Sequence, residues 1–386
     1  MENENIIIVY GPPWNQAAKL SKHHFARLWS KKNRVLYIES PINSLSFFTR
    51  FKEAISLWER YKNGCEPVLD NLWVTTFFYL LPFRGSKYFF GSKHINRFNQ
   101  YLVKKKIKNQ ISKLKFDNPI LVVSSAHIDP IINEFNFKKI IYHCSDDYTI
   151  IPSFPEDFPK VEESLISKCD LVVTTADELM KAKRRFNKNT ISIPNGANVE
   201  HFSSVQNSKT IISNEMSIFE GPIIGYIGSV FQWLDTSWIS FAAEKFPEYD
   251  FVFIGPLQID ITVFKKYKNI HFLGPKPYEV LPTYIKAFKV AVIPFVIDGV
   301  TLKASPIKFY EYLSSGIPIV STELPDLLPF KDDVYLVKGK EDYASSIKLA
   351  TKNDDVTQKK RRMEIAKKYS WESRFKTLNN HINNIG

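Results

Sequence analysis

Short apolar runs recur along the chain and alternate with amphipathic stretches. Ile6 to Tyr10, Val35 to Ile38, Ile120 to Ser124, Lys139 to Cys144, Leu171 to Thr174 and Ile191 to Ile193 read as strands in the first half. Helical spacing fits Asn15 to Ser30, a segment ending near Lys168 with Glu162 and Glu163 in its first turn, and Asp177 to Phe186. Strand, glycine turn, helix, strand is the opening of a parallel βαβ unit. Pro194-Asn195-Gly196 is a turn signal closing the first sheet, and residues 203–220 are polar and poorly periodic, as in a linker. The pattern then restarts with Ile223 to Ser229, Val252 to Gly255, Ile270 to Leu273, Val290 to Pro294, Ile317 to Val320 and Tyr335 to Val337. The expectation is two doubly wound, Rossmann-like α/β domains in tandem, facing a cleft.

Length agrees, because 386 residues exceed what one hydrophobic core comfortably serves. The expected division is an N-terminal domain over 1–202, a linker over 203–220, a second domain over 221–368 and a terminal helix over 369–386 returning toward the first domain. The net charge is +12, and residues 1–200 carry 29 Lys and Arg against 20 Asp and Glu. The basic excess therefore lies mostly in the first half, which suits an anionic partner. Residues 45–62 and 79–115, including Phe83, Arg84, Lys87, Tyr88, Phe89 and Phe90, interleave aromatic and basic residues as an interfacial surface does. A helix packing its aromatics inward and solvating its lysines would look the same. Nucleic acid is excluded as a partner on the lack of a recognition motif. Cys65, Cys144 and Cys169 show no metal spacing and suit reduced thiols. No signal peptide or membrane-spanning run is evident, so a cytoplasmic location is expected, with any membrane contact peripheral, on the inner face.

The densest chemistry lies in Ala304-Ser-Pro-Ile-Lys-Phe-Tyr-Glu-Tyr-Leu-Ser-Ser-Gly-Ile-Pro-Ile-Val-Ser321. Ser305 and Pro306 suit a helix start, with Ser305 as cap, and Gly316 suits its exit. A helix N-terminus favours phosphate; Lys308 adds a full charge, and Glu311 one turn later suits a ribose diol. In the first half, Gly11 and Trp14 follow the first strand, where a glycine lets backbone amides approach a ligand or simply makes a turn. His127 follows the strand ending at Ser124. Asp146 and Asp147 follow the strand ending at Cys144, where either could act as a general base or serve an ordinary loop.

Taken together, these residues resemble a GT-B fold bacterial glycosyltransferase, broadly of the family 4, exopolysaccharide and teichuronic-acid type. Gly225-Tyr-Ile-Gly-Ser229, Pro306 to Val320, Asn195-Gly196 with Phe202, Tyr142 to Tyr148, Cys169 to Thr175 and Trp371 carry the resemblance. It implies transfer of a sugar from a nucleotide-diphosphate sugar to a lipid-linked or growing cell-surface glycan acceptor, with no metal or other cofactor. Glu311 would bind ribose, Lys308 and Ser305 would lie at the diphosphate, and amides at Gly228 and Ser229 would stabilise the leaving group. Lys303 stands where many retaining relatives hold a glutamate, and Ser229 to Asp235 lacks their basic pair. Stereochemistry is thereby left open, with His127, Asp146 and Asp147 as catalytic candidates. A nucleotide-sugar epimerase of the same shape, or a non-catalytic nucleotide-sugar-binding scaffold at the membrane, are the alternatives.

Overall fold

A computed structural model describes residues 1–16, 19–49, 51–79, 93–150 and 157–385. The aromatic and basic residues between Phe83 and Phe90 noted above lie outside the described residues. The chain divides into two compact units: Met1–Gln16, Leu20–Ile193 and Phe375–Gly386 make up unit 1, and Pro194–Arg374 unit 2.

Unit 1 opens with β1 (Asn5–Gly11), α1 (Ser21–Ser30), β2 (Arg34–Asn43), α2 (Ser46–Thr49) and α3 (Phe51–Asn63). It continues with β3 (Glu66–Leu69), β4 (Leu72–Tyr79), α4 (Lys93–Leu114), β5 (Ile120–Val123) and β6 (Lys139–Cys144). Then follow α5 (Phe158–Lys168), β7 (Leu171–Thr174), α6 (Asp177–Arg184) and β8 (Thr190–Ser192). The eight strands run β3-β4-β2-β1-β5-β6-β7-β8. All pairings are parallel except β3 with β4, an edge hairpin that the apolar pattern did not predict. Ile6 to Val9, Leu36, Leu121 and Val172 are fully buried, as strands covered on both faces must be. Helix α1 starts at Ser21 rather than Asn15, because the Gly11–Trp14 loop is held by side chains instead of running into a helix. Glu162 and Glu163 fall in the middle of α5, since that helix begins at Phe158.

Unit 2 runs through α7 (Val199–Ser203), β9 (Ile223–Ile227), α8 (Thr236–Lys245), β10 (Asp250–Ile254), β11 (Ile270–Gly274), α9 (Leu281–Ile285) and β12 (Phe288–Ile293). It ends in α10 (Ile307–Ser315), β13 (Ile319–Thr322), β14 (Tyr335–Val337), α11 (Lys340–Asn353), α12 (Val356–Lys368) and the start of α13 (Trp371–Asn384). Its six strands run β11-β10-β9-β12-β13-β14, all parallel. Counted within the unit, that is the 3-2-1-4-5-6 order of a dinucleotide-binding sheet, which reverses direction between β9 and β12.

Two segments sit differently from expectation. Residues 203–220 are packed on unit 2, with Val205 and Met216 in its core, because a few apolar side chains suffice to dock an otherwise polar stretch. The Asn195-Gly196 turn also belongs to unit 2 rather than closing the first sheet: Ala197 bridges Ser370, and a Cβ on Gly196 would stand 2.6 Å from the Tyr369 carbonyl oxygen. From Phe375 onward, α13 packs on unit 1. Phe375 stacks edge-on to Trp29 at 5.7 Å, and the Trp29 indole N–H donates to Asn379 Oδ1 at 2.9 Å.

Candidate active site

The reversal between β9 and β12 places the carboxyl ends of two adjacent strands where α/β sheets bind ligands. Gly228 follows β9 there with φ of +144°, a conformation that suits glycine. Its neighbour is Lys308, in the first turn of α10. A Cβ on Gly228 would lie 2.8 Å from Lys308 Cε and 3.2 Å from Nζ, so a side chain at 228 would displace the lysine. The ammonium sits over two aromatic faces, 5.1 Å from the Tyr226 ring centre and 5.0 Å from that of Phe295, close enough for cation–π attraction. Tyr226 is itself anchored, donating from its hydroxyl to the Ser229 carbonyl at 3.0 Å.

Burial brings Lys308 down to about 8, partly offset by the Glu311 charge. Burial likewise lifts Glu311 to about 7, against the lowering effect of Lys308. The pair thus sits in a dehydrated recess where a bound anion would restore the full lysine charge. The Glu311 carboxylate, 9% exposed, takes no hydrogen bond from the described residues. Near it lies Tyr278, whose hydroxyl is raised by burial and then by the Glu311 charge. His201 stacks on Tyr278 with ring centres 4.7 Å apart and planes 17° apart.

Two details correct the expected donor set. Pro306, not Ser305, occupies the cap position of α10, with no side-chain cap bond. The Ser305 hydroxyl accepts from the Asn195 amide at 3.2 Å, and the Ser305 carbonyl accepts from Asn195 Nδ2 at 2.7 Å. Ser305 therefore anchors the Asn-Gly turn to the helix start. The Gly228 amide donates to the Ile254 carbonyl at 2.9 Å, so its hydrogen is already taken. Gly255, with φ of +148°, packs so closely that a Cβ would stand 2.0 Å from the Gly228 carbonyl oxygen. That leaves the Ser229 amide and the first amides of α10 as backbone donors. Lys303 lies in a turn (Thr301–Lys303) preceded by a tight Asp298 motif, whose Oδ1 accepts from the amides of Val300 and Thr301 at 2.8 Å each. Gly316 ends α10 at φ of +76°, as its position suggested, and Arg362 caps its carbonyl at 2.8 and 3.1 Å.

In unit 1, Gly11 serves packing. A Cβ there would meet the Tyr37 ring at 2.2 Å, so glycine lets the ring pack against the strand end. Trp14 is buried, edge-on to Tyr37 at 5.1 Å, and its amide donates to Glu39 Oε1 at 2.6 Å. Arg60 of α3 pairs with the same Glu39 oxygen at 2.5 Å. His127 is buried, its Nδ1 2.6 Å from the Ser125 hydroxyl. The two aspartates after β6 part company. Asp147 is buried, 3.4 Å from Lys183, and accepts from the Thr149 amide and hydroxyl. Asp146 is exposed. Its charged neighbour is Lys22, which burial lowers to about 8 against the raising effects of Asp146 and Cys144, and whose amine bonds the Ser145 hydroxyl. Burial, then the Lys22 charge, keeps the nearby His143 neutral well below its usual range.

Tyr226, Phe295 and Tyr278 were not singled out in the sequence. Tyr226 lies in β9, Phe295 just after β12 and Tyr278 in a turn before α9, with no spacing relation to α10. The signal for Tyr226 was its place inside the Gly225-Tyr-Ile-Gly228 strand end.

Residues 221–353 match the family described as Glycosyl transferases group 1. The chain is also similar to TuaH of Bacillus subtilis (strain 168), named for glycosyl transfer in teichuronic acid biosynthesis, at 25% identity over 268 residues. That match spans 63% of this chain and 66% of TuaH, just under two thirds of the relative's length. Among solved structures, sucrose-phosphate synthase from Thermosynechococcus elongatus superposes with a TM-score of 0.72 at 13% identity, covering 99% of this chain and 98% of that one. A trehalose-6-phosphate protein from E. coli bound with UDP-2-fluoro glucose gives 0.72 at 10% identity, covering 99% and 100%. HepE from Anabaena, in complex with UDP and glucose, gives 0.65 at 12% identity, covering 98% and 99%. The fold is GT-B. Within the matched residues lie Gly228, Ser229, Lys303, Ser305, Lys308 and Glu311, the whole donor-side set read from the sequence.

Proposed function

We propose that the chain is a glycosyltransferase that moves a sugar from a nucleotide-diphosphate sugar onto a lipid-linked or growing cell-surface glycan. The observation that carries the reading is the Lys308 ammonium held against Gly228 beside Glu311, at the strand reversal of a group 1 domain. Structural neighbours holding UDP with glucose and UDP-2-fluoro glucose support a nucleotide-sugar donor. The resemblance to TuaH supports a surface-polysaccharide acceptor, and with it a place at the inner face of the membrane.

In this reading the diphosphate lies at Lys308, the Ser229 amide and the first turn of α10, and the ribose hydroxyls donate to Glu311. The acceptor hydroxyl oxygen forms a bond to the anomeric carbon as the bond from that carbon to the diphosphate oxygen breaks. Charge then grows on the diphosphate, where a dehydrated ammonium and fixed amides stabilise it more than they stabilise the intact donor. Asp146, the exposed member of the aspartate pair, is the candidate to take the acceptor proton. Asp147, His127, Gly11 and Trp14 act through packing and position.

The test is turnover by purified protein with a panel of nucleotide sugars and lipid-linked acceptors, reading released nucleotide and new glycoside. Lys308→Ala is expected to lower turnover by about 100-fold or more with an unchanged melting temperature. Near-wild-type turnover by that variant would remove Lys308 from the diphosphate, and a new free nucleotide sugar without glycoside would point to epimerisation.

A further inference from the structure

Every exposed Phe, Tyr or Trp among the described residues lies on one of three helices of unit 1. Phe48 on α2 is 86% exposed, Phe51 on α3 is 62%, and Phe98 and Tyr101 on α4 are 44% and 57%. Leu45 and Ile55 extend the same apolar surface. Their exposure does not reflect a shortage of partners. Phe47, Trp58, Tyr61 and Phe78, from the same region, pack into one aromatic cluster with ring centres 5.0 to 6.0 Å apart. Aromatics that the fold could bury are buried, and Phe48 and Phe51 stand outside them.

Charge separates this surface from an ordinary apolar patch. Over its 22 residues, α4 carries seven Lys and Arg and no Asp or Glu. Its outer face runs His94, Arg97, Phe98, Tyr101, Lys105 and Lys108, all exposed and all at helical spacing. Lys106 ties this helix to α3, donating to the Tyr61 carbonyl at 3.1 Å and lying 4.5 Å over its ring. Gln100, in the turn of Phe98 and Tyr101, bonds the hydroxyls of Tyr10 and Tyr79 at 2.7 Å each, at the carboxyl ends of β1 and β4. Helix α2 follows directly from the carboxyl end of β2. The exposed aromatics are thus gathered at the carboxyl edge of the sheet, with lysines trailing along α4.

We infer that the α2–α3 and α4 surface docks unit 1 on an anionic lipid bilayer, with Phe48, Phe51, Phe98 and Tyr101 entering the headgroup layer and the lysines of α4 meeting lipid phosphates. Aromatic side chains favour that layer, and lysines bury their stems there while keeping charge at the surface. No described helix is long and apolar enough to cross a membrane, so the contact is one of surface insertion. The inference deepens the lipid-linked acceptor reading, but its test needs neither donor nor turnover.

The experiment is co-sedimentation of the full chain with vesicles of mixed phosphatidylglycerol and phosphatidylcholine, against vesicles of phosphatidylcholine alone. Binding is expected on the anionic vesicles only and is expected to weaken with salt. The F48S/F51S and K105E/K108E variants are each expected to lower partitioning by at least about tenfold, while I211S, an exposed apolar change on unit 2, leaves it unchanged. Equal partitioning onto phosphatidylcholine, wild-type partitioning by either double variant, or preference for single-stranded RNA over vesicles overturns the inference. Vesicle binding without glycosyl transfer would leave the docking surface standing and sink the proposed activity instead.

Discussion

At the scale of single residues, the proposed donor site joins two groups whose charged forms burial disfavours. Lys308 is held at about 8 and Glu311 at about 7. A diphosphate needs the lysine protonated, and a ribose diol needs the glutamate ionised. UDP affinity, measured by calorimetry, is therefore expected to be highest between about pH 7 and pH 8. It should fall below that window as Glu311 gains a proton, and above it as Lys308 loses one. On the alkaline side binding should take up a proton, visible as a buffer-dependent heat. A flat affinity from about pH 6 to about pH 9 would contradict the pair's role. The two aspartates make a second comparison. Asp147→Asn weakens a buried pair with Lys183 and is expected to cost about 2 kcal/mol in denaturant unfolding. Asp146→Asn should leave stability unchanged and lower turnover by about 100-fold. Loss of turnover only in the Asp147 variant would reverse the assignment.

At the scale of elements, the sequence was most readable where burial is symmetrical. Leu171 to Thr174 and Lys139 to Cys144 emerge with the boundaries their apolar runs indicate, because a strand covered on both faces needs only apolar residues. The β3–β4 hairpin was not legible in this way. Its outer strand alternates half-buried and exposed positions, and its pairing depends on β2 beside it. Helix α10 was placed correctly, but its cap was not. Ser305 is a good capping residue locally, yet Asn195, 110 positions earlier, claims both its hydroxyl and its carbonyl. The same logic hid the state of Gly228. A glycine loop after a strand announces a ligand site, but only the neighbouring strand β10 reveals that the amide is committed to Ile254. Nor does the sequence separate Asp146 from Asp147. What separates them is Lys183 on α6, which pairs with Asp147 and, at 2.7 Å, with Glu162 on α5.

For the whole molecule, the division of labour is carried by continuous and discontinuous stretches of chain. Unit 2 takes nearly all of its residues from Pro194–Arg374, whereas unit 1 also needs residues from Phe375 onward. Leu378 and Ile382 are buried there, Leu378 beside Phe25 and Trp29, and Lys139 Nζ donates to the Ile382 and Ile385 carbonyls at 2.8 and 2.6 Å. Each buried aliphatic side chain contributes about 2 kcal/mol. Deleting residues 375–386 is therefore expected to destabilise unit 1 by at least about 4 kcal/mol. Denaturant unfolding followed by tryptophan fluorescence should then show an early transition absent from the intact chain. A single transition at the original midpoint would mean that α13 contributes little beyond its first turn.

The split of unit 1 also sets an order of events during synthesis. Its eight strands leave the ribosome first, but the strip of α13 that covers Phe25 and Trp29 emerges only after all of unit 2 has been made. Through that interval unit 1 carries an uncovered aromatic surface. Unit 2 has its chain through Arg374 in hand before unit 1 can be completed, so it can settle while unit 1 still waits for its last helix.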